Sequence, residues 1–105
     1  MTGPVLTAPA ANRGAIAQHV SSVLGDVAAQ PGLLPDAATA ASAKLELVFQ
    51  PLFALQKDGA NIEDARRPLA NTYQALQDAT RGTLRGSGDE IIQGLADALK
   101  AIHRL

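Results

Sequence analysis

The stretch Ser87–Leu105, SGDEIIQGLADALKAIHRL, decides the fold class. Ser87 and Glu90 stand at the spacing of a capping box, in which the serine oxygen takes a backbone N–H and the glutamate reaches back to another. Apolar residues then recur at Ile91, Leu95, Ala98, Ile102 and Leu105, alternating four and three apart, so they share one helical face. Ile92 and Leu99 widen that face. Asp89 and Glu90 fall in the first turn and Lys100, His103 and Arg104 near the end, which complements the helix dipole. The pattern reaches Leu105 and predicts a helix docked along its whole length. An amphipathic helix must bury its apolar stripe against other elements, so the rest of the chain has to supply them.

Working back from Ser87, Gly82, Gly86 and Gly88 mark a linker. Before it, Asn61 is suited to cap a helix with Ile62, Ala65, Leu69, Tyr73, Leu76 and Thr80 on its inner face, and Glu63 stands four residues before Arg67, a supporting spacing. The preceding Asp58-Gly59-Ala60-Asn61 reads as a turn, with Gly59 fitted to a left-handed helix cap. The helix before that turn is expected from Asp36 to about Lys57, with Ala41, Leu45, Val48, Leu52 and Leu55 as its seam. A first helix is expected from an Asn12 cap to about Ala29, burying Ile16, Val20, Val23, Leu24 and Val27. Gly25 within it signals either a close helix approach or a weak point. Pro31-Gly32 breaks the chain between the first two helices.

Two prolines fall inside the second and third helices. Pro51 lies eight residues before Gly59 and Pro68 eight after Ala60. In an antiparallel hairpin they stand at one level, and each removes a backbone hydrogen bond. Pro51 either kinks one long helix or sits in the first turn of a short new one. The expectation is therefore an all-α, antiparallel four-helix bundle with proline-kinked central helices. Residues 1–11, rich in Pro, Ala, Gly and Thr, read as a flexible tail, and 12–105 as a single helical domain.

Composition narrows the function. The chain has 105 residues, 47% of them hydrophobic and only 3% aromatic, so the core must be made of Leu, Ile, Val and Ala. The formal net charge is −1, which gives no electrostatic footprint for nucleic acid. Arg66, Arg67, Arg81 and Arg85 are interspersed with Glu63, Asp64 and Asp78, a paired and solvated face. There is no cysteine, which excludes disulfides, thiolate metal sites and thiol catalysis. The N-terminus has no basic segment followed by an apolar run, so it does not resemble a signal peptide. No apolar run approaches the roughly 20 residues of a membrane span. The expected setting is cytoplasmic.

Catalytic and metal patterns are sought in vain. Two histidines without cysteines are too few ligands for a protein-built zinc site, and no Glu-x-x-His pair offers a di-iron site. His19 borders the first helix's apolar stripe. It carries an enzymatic or phosphotransfer reading only weakly, since Val20-Ser21-Ser22-Val23 follows it in place of the Lys-Gly pair of histidine-phosphotransfer bundles. No catalytic residue, metal or cofactor is assigned.

What remains is surface. Leu47, Phe49 and Phe53 project around more of the second helix than one seam needs, and Leu34 precedes it. A helix apolar on most of its circumference is either central or part of an interface. The expected function is a non-enzymatic protein–protein interaction module, binding a protein partner or itself as a homodimer through Leu34, Leu47, Phe49 and Phe53. The alternative is an apolar-ligand binder, with a gap between the two bent helices lined by Val48, Leu52, Leu69 and Tyr73.

Overall fold

The computed structural model describes residues 9–30, 32–83 and 88–105. Five helical segments follow in order: α1 Pro9–Ala28, α2 Pro35–Glu46, α3 Phe49–Lys57, α4 Glu63–Thr80 and α5 Gly88–His103. Among the described residues there is no strand. α1 packs on α2 and α5, and α4 packs on α2 and α5, closing a ring. α3 continues from α2 and packs on α1. The α2–α3 pair thus fills one position of an antiparallel four-helix bundle, as the periodicity predicts.

The register of the apolar positions explains the ring. Ile16, Val20, Val23 and Val27 of α1, Ala41 and Leu45 of α2, Leu52 and Leu55 of α3, Leu69 and Leu76 of α4, and Ile91, Leu95, Ala98 and Ile102 of α5 are all buried. Each set repeats at three and four residues, so each helix turns one stripe inward. Leu24 is half-buried at the edge of the stripe, and Leu105 packs against the core from the end of the chain. Tyr73 and Thr80 are also half-buried. In α4 the inward residues are instead Thr72 and Ala79, one position before each.

Pro51 takes the second of its two expected roles. α2 ends with tightened bonds, Leu47 N–H to the Lys44 carbonyl at 3.3 Å and Val48 N–H to the Leu45 carbonyl at 3.0 Å. Leu47 and Val48 stay in the right-handed region, with φ/ψ of −68/−14° and −85/−18°. A helix restarts at Phe49, so Pro51 lies in its first turn, where its missing N–H has no acceptor to lose. The expectation of a kinked single helix is corrected here to two helices in series. Pro68 lies inside α4, whose helical span runs on through it. The two prolines do not face each other: Pro51 is beside Ala15, Ile16 and His19 of α1, while Pro68 is beside α5 residues including Ile91 and Gly94.

The turn at Gly59 follows from its backbone. Gly59 has φ +103°, and the Ala60 N–H reaches the Leu55 carbonyl while the Gly59 N–H reaches that of Gln56, both at 3.0 Å. This is the Schellman pattern, which satisfies carbonyls left open at a helix end. Asn61 Oδ1 then accepts the Glu63 N–H at 3.2 Å, but the N-cap of α4 is Ile62, one residue later than the expected Asn61, and its side chain makes no cap bond. α1 begins at Pro9, earlier than the expected Asn12. The proposed tail up to residue 8 and the cap at Ser87 lie outside the described residues.

Candidate interaction surface

The four residues expected at an interface do not form one patch. Leu34 and Leu47 are 65% and 66% exposed, and Phe53 44%. Leu34 precedes α2 and Leu47 follows it, so about 20 Å of helix separates them at about 1.5 Å per residue. Pro51 and Phe53, two residues apart on α3, point about 160° away from each other around its axis. Pro51 turns toward α1, together with Leu47. Phe49 is half-buried and meets Tyr73 edge-on, with ring centroids 5.8 Å apart and planes at 80°. It therefore works as a link between α3 and α4.

Where α2 gives way to α3, a shallow apolar pocket of about 220 Å³ opens against α1. Ala15, Ile16 and His19 form one wall and Leu47, Val48 and Pro51 the other. The pocket exists because the restart of the helix leaves Leu47 outside the core while Val48, the next residue, is only 1% exposed.

A polar tie beside this pocket fixes α1 to α2. The His19 ring Nε2 and the Lys44 carbonyl oxygen are 2.9 Å apart. The Lys44 ammonium donates to Ser22 Oγ at 2.9 Å and to Asp26 Oδ2 at 2.8 Å. His19, Ser22 and Asp26 recur at three and four residues, so they form one polar edge of α1 facing a single lysine. That spacing is visible in the sequence, but its partner is not. His19 thus holds the end of α2.

The residues proposed to line a ligand gap belong to the packing. Val48, Leu52 and Leu69 are buried in the core. Tyr73 is half-buried and donates its hydroxyl to Glu46 Oε1 at 3.1 Å, while its ring meets Phe49. A second groove of about 410 Å³ separates α4 from α5, lined by Pro68, Asn71, Thr72, Glu90, Gln93 and Gly94 among others. At its floor the two helices nearly touch. A Cβ at Gly94 would fall on Thr72 Oγ1.

Electrostatics are local. Glu63 accepts from Arg66 Nε at 3.2 Å and lies 3.9 Å from Arg67. The hydrogen bond from Arg66 holds the Glu63 carboxyl below the usual carboxylate range and raises Arg66 in return. Both side chains are solvent-accessible, so the pair shapes the start of α4 more than it stabilises the fold. Among the described residues no group of three His, Asp or Glu side chains is placed to hold a metal ion, and no helix is long and apolar enough to cross a membrane. Comparison with protein-family models, with curated proteins and with solved structures finds no match to this chain.

Proposed function

We propose that this chain is a non-enzymatic, cytoplasmic protein–protein interaction module, an adaptor or self-associating subunit. The observation that supports this reading is the exposure of Leu34, Leu47 and Phe53 on a bundle whose core is otherwise closed. The remaining large aliphatic side chains of the described helices are buried or half-buried. Exposed leucines occur singly on many proteins, and a lone one carries no weight. Here two of the three lie on or beside α3, and one of them rims an apolar pocket.

The test is a pair of substitutions, Leu47→Asp and Phe53→Asp, followed by circular dichroism, thermal unfolding and size-exclusion chromatography with light scattering. The expected result is unchanged helicity and cooperative melting in both, with loss of association in at least one of them. Unfolding of both variants would make these residues core and remove the basis of the proposal.

A further inference from the structure

We propose that the partner is a second copy of this chain, bound head to tail, with the Phe53–Lys57 flank of one copy seated on the Leu34–Asp36 end of the next. The inference rests on the interaction-module reading and names its partner. Its starting point is that the exposed apolar residues lie at opposite ends. In the antiparallel ring, the start of α1, all of α3, the start of α4 and the end of α5 share one end. The end of α1, the start of α2, the end of α4 and the start of α5 share the other.

At the second end, Gln30, Leu34, Pro35, Asp36 and Ala37 line an open recess of about 600 Å³. Leu34 and Asp36 are exposed there. At the first end, Phe53 and Lys57 are four residues apart on α3 and share a face. Each surface therefore pairs one large apolar side chain with one charge, and the charges are opposite. Among the described residues, neither Asp36 nor Lys57 has an ion-pair partner.

The charge of the described residues leans the same way. Arg13, Lys57, Arg66, Arg67, Lys100 and Arg104 gather toward the α3 end, against Asp58, Glu63, Asp64 and Asp97. Asp26, Asp36, Asp78, Asp89 and Glu90 gather at the other, against Arg81 and Lys44, the latter bound to Asp26, among the described residues. Stacking copies in one direction brings unlike ends together, whereas end-to-end two-fold pairing brings like ends together and is repelled. Leu34 and Phe53 lie at opposite ends of the bundle, so in a stack each copy uses one surface toward each neighbour. One contact cannot be returned within the same pair, which makes it heterologous and open to growth. With the bundle measuring 38 × 29 × 19 Å, an end offers less than the roughly 800 Å² per partner of a standard stable interface. The association is accordingly weak, concentration-dependent and sensitive to salt.

Light scattering and sedimentation velocity on the full chain from micromolar to millimolar concentration test this. The expected mass rises past the dimer, and the rise weakens at least severalfold in high salt. Lys57→Glu and Asp36→Lys each weaken association about tenfold or more, and the double variant regains it. Leu34→Asp and Phe53→Asp each stay monomeric, yet a mixture of the two forms a one-to-one dimer that does not grow, because each supplies the surface the other lacks. If the aspartate variants unfold, the exposed charge pair alone decides. A wild-type monomer at every concentration, a closed dimer that stops growing, or a charge swap without recovery each overturns the head-to-tail contact. With Leu47→Asp and Phe53→Asp folded, those outcomes leave binding to a different protein standing.

Discussion

His19 donates through Nε2 to the carbonyl oxygen of Lys44, 2.9 Å away, at the point where α2 stops. In an unbroken helix that carbonyl would accept the Val48 N–H, which here bonds Leu45 instead. That carbonyl keeps a backbone donor in the Leu47 N–H at 3.3 Å, and the side chain from α1 adds a second, shorter bond to it. Replacing His19 with Leu is expected to destabilise the protein by about 1 kcal/mol, the net value of a hydrogen bond of this kind. Lys44→Ala removes the contacts to Ser22 and Asp26 but keeps the carbonyl. Its side-chain partners are substantially exposed, so it is expected to cost less, about 0.5 kcal/mol. Urea unfolding of both variants gives the order, and a larger loss from Lys44→Ala would show that the ammonium, not the carbonyl, ties α1 to α2.

Gly94 sits where α5 crosses α4, with no room for a Cβ beside Thr72 Oγ1. Helix propensity alone favours Ala over Gly by about 1 kcal/mol. Crowding a packed helix contact costs about 1–3 kcal/mol, so Gly94→Ala is expected to be destabilising on balance. Thr72 is buried, with 3% of its surface exposed, so its hydroxyl would have to turn within the packed contact to make room. Thr72→Ala opens the space, and in that background Gly94→Ala is expected to become neutral or stabilising. A double-mutant cycle by thermal unfolding measures the coupling; additive effects would separate the two residues.

The core was legible because it obeys one rule, three-and-four periodicity, and Ile16 through Ile102 follow it almost without exception. The Schellman turn at Gly59 was legible because it is local chemistry, and the start of α4 was legible to within one residue, at Ile62 beside the expected Asn61. The proline relation was not. Equal distances from a turn define a level along two helices, but they do not say which way each ring points. Pro51 turned toward α1 and Pro68 toward α5. The same gap explains the interface residues. Spacing marks Phe49 and Phe53 as surplus to one seam, but only the packing of α3 shows that Phe49 is taken up by Tyr73. Glycine was the least readable residue: Gly25 and Gly94 look alike in sequence, and one faces open space while the other forms a helix contact.

That contrast gives a third prediction. Gly25 is exposed in α1 with nothing near its absent Cβ, whereas Gly59 holds φ +103° in open space. Gly25→Ala is expected to stabilise by about 0.5–1 kcal/mol, by restricting the unfolded chain and favouring helix. Gly59→Ala meets no neighbour but forces a Cβ into the left-handed region, and is expected to cost about 1–2 kcal/mol. Both substitutions add one methyl group to an exposed site, so opposite shifts in unfolding midpoint isolate the backbone effect. A gain at both sites would exclude strain at Gly59.

Glu63 yields a prediction in pH. Its carboxyl is held below the ordinary range by the Arg66 hydrogen bond. A depressed folded value means the charged form favours the folded state, so the contribution is present above the unfolded carboxylate range and fades as pH falls through the folded value. The stability difference between wild type and Glu63→Gln is therefore expected to be small at neutral pH and to vanish under acid conditions. Arg66→Met should give the same pH profile, since it removes the cause of the shift. A Glu63→Gln difference that grows on acidification would contradict the pairing.

The two prolines, finally, differ in what they block. Pro51 is in the first turn of α3, where an N–H would have had no partner within that helix. Pro68 is the sixth residue of α4, where the absent N–H leaves the Asp64 carbonyl without its helical donor. Pro68→Ala restores that bond and a residue of high helix propensity, and is expected to stabilise by about 1–3 kcal/mol. The gain is bounded because the unfolded chain also becomes freer, by about 0.4–1 kcal/mol. Pro51→Ala recovers no bond within α3 and loses that same chain restriction, so a small loss or no change is expected. Urea unfolding separates the cases. A large gain from Pro51→Ala would mean that α2 and α3 fuse once the ring is gone, and that the proline, not the packing around Leu47 and Val48, keeps the two helices apart.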